Sequence, residues 1–265
     1  MATHDAASIV PTLVLVPCFS GAPWSPAQLT PLAARPMRTM RLPDGPTTIE
    51  GYVDFVADQV GDLDGFVLVG DSFGANVALG LAVRRPPGLR GLVMSGGFAT
   101  DPVTSPVDRL AYAMVPLLRG PLYRQLTLRL HARNLASPHD GEGQLPWSGA
   151  ASRRLFLDST PAAAFVRRTR VALTTDYVDD LSRVAVPTLI LTPSHDTLIG
   201  PDAAAIMRNG IPDATEVILD RTGHMFRFSH PVSYGRAIED FLLARVDGTG
   251  TGTVASGAGA GTAGR

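Results

Sequence analysis

The sequence feature that most constrains the fold of this chain is a set of six short apolar runs. Helical patterns or loops separate these runs from one another. Such runs are typical of strands that are covered on both faces of a sheet. Strands that alternate with helices predict right-handed βαβ units and therefore a mostly parallel sheet. The predicted strands are Thr12 to Val16, Met37 to Leu42, Gly65 to Gly70, Leu89 to Ser95, Val186 to Thr192 and Thr215 to Leu219.

The helical patterns between these runs begin and end at recognisable signals. Thr47 and Glu50 have the spacing of a capping box, and apolar residues recur at helical intervals behind them. Phe73 to Arg85 is a helical pattern that stops at a pair of prolines. Further helices are predicted over Asp202 to Arg208 and Pro231 to Ala244. The run Met37 to Leu42 carries two arginines, which fits an exposed edge strand.

One long interval breaks the alternation. Ala99 to Ser182 has helical patterning with little strand signal, and it predicts a helical lid over the strand ends. The 265 residues, 45% of them hydrophobic, can form one domain over residues 1–246 that contains this lid at about 99–182. The remaining residues, 247–265, hold seven glycines and one branched apolar residue, and they predict a disordered tail.

Composition excludes several classes of function. The formal net charge is −1, from 23 basic and 24 acidic residues, which argues against nucleic-acid binding. All basic residues are arginine, so neither a Schiff-base lysine nor a phosphate-loop lysine exists. No metal cluster or dinucleotide fingerprint is visible, and no cofactor is expected. Neither a transmembrane run nor a signal peptide is recognised, so no membrane partner and a cytoplasmic location are expected.

The segment Gly70-Asp71-Ser72-Phe73-Gly74 matches G-x-S-x-G, directly after a buried strand and directly before a helix. This is the setting of a nucleophile elbow, where a tight turn exposes the serine. Its glycines would let strand and helix approach closely. The alternative is a glycine-flanked turn whose serine only caps the helix.

At this point the chain resembles the α/β-hydrolase superfamily. Three blocks carry the resemblance: Gly70 to Gly97, Val186 to Pro201 and Asp220 to Leu242. The resemblance implies an α/β-hydrolase fold. Relatives usually carry a β-hairpin before the first predicted strand, but only about eleven residues precede Thr12. We therefore expect the hairpin to be missing and the sheet to have about six strands. The resemblance also implies a triad of Ser72, Asp196 and His224, in the family's chain order.

The chemistry of nucleophilic attack explains why a serine, a histidine and an acid would be needed together. A serine hydroxyl is a poor nucleophile, so His224 would remove its proton as a general base, and Asp196 would hold the imidazole tautomer. His195 is an alternative base and Asp101 an alternative acid. The remaining histidines, interpreted as surface or lid residues, are His4, His131, His139 and His230.

The oxyanion hole requires two backbone N–H groups. By position in the family these belong to Phe73, directly after the serine, and Phe19, in the loop after the first strand. This loop begins with Pro17-Cys18, where many relatives have His-Gly. The sequence therefore does not determine the shape of the oxyanion hole. Cys18, the one cysteine, excludes an intramolecular disulfide and is either a lining thiol or a small buried hydrophobe.

The expected function is a serine hydrolase that cleaves an ester or thioester of a small to medium acyl substrate through an acyl-enzyme on Ser72. The same site could instead support a C–C bond hydrolase, a lyase or cyclase, or a cofactor-free perhydrolase, and a non-catalytic ligand-binding member is a third hypothesis. Between Ser105 and Thr174 lie ten arginines and four acids. They either form solvated helix faces or favour an anionic or carrier-linked substrate. The oligomeric state stays open.

Overall fold

A single sheet of six parallel strands organises the molecule, as the sequence predicts. The computed structural model describes residues 10–103, 105–117, 128–135, 141–142 and 148–247. The strands lie in the order β2-β1-β3-β4-β5-β6. Their bounds are β1 Thr12–Val16, β2 Met37–Thr39, β3 Phe66–Asp71, β4 Leu89–Ser95, β5 Thr188–Pro193 and β6 Ala214–Leu219.

Helices cover both faces of this sheet. In chain order they are α1 Pro26–Leu29, α2 Ile49–Val60, α3 Phe73–Val83, α4 Pro106–Met114, α5 Leu128–Asn134, α6 Gly149–Ser159, α7 Ala162–Thr174, α8 Asp202–Gly210, α9 Phe226–Ser229 and α10 Pro231–Phe241. Side chains of β1 alternate between two cores: Val14 and Val16 pack with α2, α3 and α8, whereas Leu13 and Leu15 pack with α10. This alternation explains why the strands are almost uniformly apolar.

Two local predictions need correction. The strand predicted over Met37 to Leu42 ends at Thr39, although it does form the edge of the sheet next to β1. The capping box on Thr47 is wrong by one residue: Thr48 is the N-cap of α2, and its side chain accepts a hydrogen bond from the Gly51 N–H. Both errors lie at element ends, where local patterns are least decisive.

The interval between β4 and β5 contains α4, α5, α6 and α7. An apolar cluster that includes Phe156 of α6 and Phe165 of α7 joins this interval to Met225, next to His224. The single-domain division and the lid boundaries stay predictions. From residue 248 onward, the predicted tail lies outside the described residues. Residues 1–9, on which the predicted absence of an N-terminal hairpin depends, also lie outside them.

Candidate active site

Ser72 occupies a sharp turn between β3 and α3. Its backbone has φ 54° and ψ −118°, a left-handed conformation that a non-glycine residue adopts at a cost of about 1–3 kcal/mol. The serine makes no side-chain capping bond to α3, so the interpretation of Ser72 as a simple helix cap does not hold. The strained turn instead presents its hydroxyl towards the loop that follows β6.

The two glycines of the motif allow very close backbone packing. A Cβ atom on Gly70 would lie 2.5 Å from Cα of Ala75 in α3. A Cβ atom on Gly74 would collide with the carbonyl oxygens of Val16 and Pro17, at the start of the Phe19 loop. Any side chain at either position would therefore push apart the strand, the helix and the loop that frame Ser72.

The structure brings Ser72, His224 and Asp196 into one hydrogen-bonded chain. The Ser72 Oγ lies 2.8 Å from Nε2 of His224, and Nδ1 of His224 lies 2.7 Å from Oδ2 of Asp196. The other carboxylate oxygen of Asp196 accepts hydrogen bonds from the N–H groups of Leu198 and Ile199, at 2.8 and 3.0 Å. This arrangement places the acid, the imidazole and the hydroxyl in the order that nucleophile activation requires.

Electrostatics couple the imidazole and the acid. Burial of Asp196 works against its charged form, but the charge of His224, its hydrogen bond and two backbone N–H groups outweigh burial and lower the pKa of Asp196. Burial likewise opposes the imidazolium of His224, yet the charge and hydrogen bond of Asp196 raise the pKa of His224 above its usual value. The pair therefore favours a charged imidazole more than water does.

The residues considered as alternatives to the triad histidine and acid have other contacts. Nδ1 of His195 lies 2.8 Å from the hydroxyl of Ser194. Asp101 forms an ion pair with Arg109 at 2.9 Å. His131, interpreted as a surface or lid residue, is only 7% exposed. His230, also 7% exposed, is buried as well. His4 and His139 lie outside the described residues.

Phe19 and Phe73 lie together beside Ser72. Their rings meet edge to face with centroids 5.9 Å apart, and both residues line the cavity above the serine. Among the described residues, neither backbone N–H group has a hydrogen-bond acceptor. An oxyanion requires unpaired N–H donors, so Phe19 and Phe73 stay the predicted pair.

Cys18 lies in the same loop and lines the cavity, with its Sγ 3.3 Å from the hydroxyl of Ser20. Burial and the nearby charge of Asp71 raise the pKa of the Cys18 thiol. A protonated, buried thiol is a weak nucleophile, so the interpretation as a small buried side chain fits best.

The cavity itself is predominantly apolar. Its lining includes Phe98, Val103, Leu135, Phe156, Leu173 and Ile199. Among the described residues that line it, none is an arginine, an aspartate or a glutamate. The described part of the chain also contains no group of three His, Cys, Asp or Glu side chains that could hold a metal ion. None of the helices in the described ranges has the length and apolar character needed to cross a membrane.

Sequence patterns did not indicate two buried arginines near the site. Arg168 of α7 donates hydrogen bonds to the carbonyl oxygens of Phe19 (3.0 Å) and Pro43 (3.2 Å), and to the carboxylate of Asp44 (2.8 Å). Its side chain is completely buried, so this arginine anchors the Phe19 loop and is not exposed to a bound anion. Its distant partners leave no local sequence signal.

Arg227 is the second buried arginine. Its Nε donates to Asp71 at 2.8 Å, its Nη1 donates to Gln28 at 2.7 Å, and its guanidinium lies 4.0 Å from the centroid of the Trp24 ring. Asp71 precedes Ser72, and Arg227 lies in α9, next to the His224 loop. A lone arginine within the apolar stretch MFRFS is the one signal that could have drawn attention to it.

Comparison with known proteins agrees with this architecture. A sequence model described as the alpha/beta hydrolase family matches residues 13–236. The chain belongs to the alpha/beta hydrolase family. Among solved structures, this alpha/beta hydrolase resembles a hydrolase from Pseudomonas aeruginosa, with a TM-score of 0.74, 21% identity and coverage of 90% of this chain and 92% of that one. It also resembles an enol-lactonase from Burkholderia xenovorans, with a TM-score of 0.69, 18% identity and coverage of 88% and 92%. These likenesses show the shared fold.

Curated relatives are more similar in sequence. The alpha/beta hydrolase described here is 29% identical over 195 residues to a 2-hydroxymuconate semialdehyde hydrolase of Pseudomonas putida, covering 72% of this chain and 66% of that protein. It is 26% identical over 199 residues to a 2-hydroxy-6-oxononadienedioate/2-hydroxy-6-oxononatrienedioate hydrolase of Cupriavidus pinatubonensis, covering 71% and 65%. The chain thus spans just under two thirds of the length of these relatives.

Proposed function

We propose that this alpha/beta hydrolase cleaves a bond at a carbonyl carbon, with Ser72 as nucleophile, His224 as general base and Asp196 as its orienting acid. The observation that carries the proposal is the hydrogen-bonded chain from Ser72 through His224 to Asp196 at the foot of an apolar cavity. The N–H groups of Phe19 and Phe73 are the proposed oxyanion donors, since both are unpaired among the described residues.

The reaction follows from these positions. The Ser72 oxygen attacks the carbonyl carbon while His224 takes its proton, and the oxyanion is held by the two N–H groups. When the tetrahedral intermediate collapses, the bond to the leaving group breaks and His224 returns the proton to that group. Water, deprotonated by His224, then attacks the acyl-enzyme and releases the acid and free Ser72. Overall, water supplies OH to the acyl carbon and H to the leaving atom.

We propose that the bond cleaved is a C–C bond, in preference to the ester or thioester expected from the sequence alone. The substrate named for the Pseudomonas putida relative, 2-hydroxymuconate semialdehyde, contains a carboxylate, an enol and an aldehyde but no ester. Its hydrolysis must therefore break a carbon–carbon bond next to a carbonyl group. Such a bond can break when the departing carbon is conjugated to a ketone. The ketone then accepts the electron pair of the broken bond as an enolate, and His224 afterwards protonates the departing carbon.

Ester hydrolysis is the second candidate, and the lining of the cavity favours it. The substrates named for both curated relatives carry carboxylates. Among the described residues, no arginine lines the cavity of this chain. The lining that the structure describes thus disfavours a charged group, because burying an unpaired carboxylate is costly. We therefore propose an uncharged substrate, not an anionic or carrier-linked one. An uncharged ester satisfies that requirement, and its alcohol can leave without the formation of an enol.

Labelling by a fluorophosphonate probe tests the nucleophile. We expect one adduct, located by mass spectrometry on Ser72, and no adduct in the Ser72→Ala variant. Labelling of another residue, or no labelling of a folded sample, would contradict the proposal.

A pair of chromogenic substrates then separates the two bond types. One is an uncharged 2-hydroxy-6-oxo-dienoate methyl amide, whose conjugated chromophore is lost when its C–C bond breaks. The other is a p-nitrophenyl ester with an acyl chain of matched length. A higher kcat/KM for the dienone supports C–C hydrolysis, and a higher value for the ester supports the second candidate.

A further inference from the structure

Two residues that line the apolar cavity each carry a buried polar atom that has no hydrogen-bond partner in the described part of the chain. These atoms are Nε2 of His131, on α5, and Oγ1 of Thr169, on α7. Their residues are 7% and 5% exposed, and both line the cavity that contains Ser72 and His224. A buried polar atom without a partner costs about 1–3 kcal/mol, so two of them in one cavity call for an explanation.

Aromatic rings fix the position of His131. Its ring packs edge to face against Phe156, with centroids 4.9 Å apart, and against Phe165, with centroids 5.3 Å apart. Its Nδ1 lies 3.4 Å from the hydroxyl of Tyr112, which leaves Nε2 as the free edge of the ring. Thr169 follows Phe165 by one helical turn on α7 and therefore lies on the same side of that helix. The two orphaned atoms thus belong to residues that both neighbour Phe165.

The surroundings of these two atoms also determine whether a charged or an uncharged group can bind to them. Burial lowers the pKa of His131 to about 3, so its imidazole is neutral near pH 7. A neutral imidazole offers one hydrogen bond at Nε2, and a threonine hydroxyl can donate or accept. Neither group can balance a full negative charge. An uncharged oxygen, such as that of a ketone or a hydroxyl, can accept or donate here without the cost of burying an ion.

We propose that His131 and Thr169 form a subsite that hydrogen-bonds an uncharged ketone or hydroxyl oxygen of the substrate, away from the carbonyl attacked by Ser72. The inference rests on the proposed function, because it takes this cavity as the place where substrate binds. It adds a substrate class to that function: an otherwise apolar molecule with a second oxygen beyond the bond that is cleaved.

Matched ester pairs test this subsite. The probes are p-nitrophenyl 4-oxopentanoate, 5-oxohexanoate and 6-oxoheptanoate, each compared with the alkyl ester of equal chain length. We expect the wild type to prefer the oxo ester at one chain length. Thr169→Val and His131→Phe should each lower this preference, measured as a ratio of kcat/KM values, by about five- to tenfold, the effect of one neutral hydrogen bond. Thr174→Val, an exposed position on the same helix, is the control and should keep the wild-type ratio.

The possible results are distinct. No oxo preference in the wild type at any length, or a ratio in Thr169→Val equal to that of wild type, would overturn the subsite. If His131→Phe does not fold, the near-isosteric Thr169→Val variant still decides the question. If Ser72 is not labelled and no ester is turned over, the proposed function fails. Calorimetric binding of the same ester pairs to Ser72→Ala and to Ser72→Ala/Thr169→Val then tests the subsite alone: a lost preference supports it, and an equal one overturns it.

Discussion

The guanidinium of Arg227 donates a 2.8 Å hydrogen bond to the carboxylate of Asp71, and both side chains are at least 95% buried. The pair connects the end of β3, directly before Ser72, with α9, which follows the loop that carries His224. Further contacts hold the arginine: Gln28 accepts from its Nη1, and its guanidinium lies against the rings of Trp24 and Phe228. The backbone segments of the candidate nucleophile and base are thus fixed to each other by a buried charge pair.

Removal of one partner of this pair should be strongly destabilising. In Arg227→Met the carboxylate of Asp71 stays buried without its cation, and we expect a loss of about 3–5 kcal/mol in the free energy of unfolding. The matched control is Arg84→Met, which breaks an exposed Arg84–Asp54 pair and should cost less than about 1 kcal/mol. Urea denaturation measures both values. Similar losses in the two variants would show that the buried pair has no special role.

The close approach at Gly74 predicts a second effect. In Gly74→Ala the new methyl group meets the carbonyl oxygens of Val16 and Pro17, so the loop that carries Phe19 must shift. We expect a loss of stability of about 1–3 kcal/mol and at least a tenfold fall in kcat/KM, because a proposed oxyanion donor moves with the loop. Gly45→Ala is the control, since no atom lies within 4 Å of a Cβ added there. The prediction fails if Gly74→Ala behaves like Gly45→Ala in both assays.

The His224–Asp196 pair predicts the pH dependence of the reaction. A general base must be neutral, so kcat/KM should rise with pH as His224 loses its proton. Because Asp196 raises the pKa of His224, the midpoint of this rise should lie above the usual histidine value of 6.5. Asp196→Asn removes the charge, and should therefore move the midpoint to lower pH and reduce kcat by about ten-thousand-fold. An unchanged midpoint in this variant would argue against the assigned coupling.

His131 predicts a loss of stability in acid. Its pKa is about 3 in the folded protein, against 6.5 for an ordinary histidine. Between these values the unfolded chain binds a proton that the folded chain does not, so the unfolded state gains stability as the pH falls from 6.5 towards 3. The contribution of His131 to this slope is about 1 kcal/mol per pH unit. His131→Phe should show a correspondingly shallower decline in urea unfolding measured across this range. Parallel curves for the two proteins would contradict the prediction.

Sequence patterns predicted the parts of the fold that depend on local order. The apolar run before Gly70 and the proline pair after α3 predicted a strand, a turn and a helix, and the structure has them in that order. The resemblance to the family also named Ser72, Asp196 and His224, which the structure brings into hydrogen-bond contact. The three residues meet because strand ends in a parallel sheet converge at one edge. Their catalytic roles stay a prediction.

The parts that could not be predicted depend on contacts between distant residues. The arginines between Ser105 and Thr174 look alike in sequence, yet Arg168 is fully buried against carbonyl groups while Arg154 is exposed. His131 shows the same limit, because its burial depends on rings contributed by α6 and α7. No local pattern encodes which face of a helix meets a loop more than a hundred residues away.

The anchoring of the Phe19 loop by Arg168 affects how this enzyme could be re-engineered. A chimaera that exchanges residues 99–182 for the equivalent interval of another hydrolase would also remove the guanidinium that supports the Phe19 carbonyl. A transplant intended to change only substrate preference would thus alter turnover as well. Such chimaeras should therefore use donor sequences that carry an arginine at the position equivalent to Arg168, in the last helix of the exchanged interval.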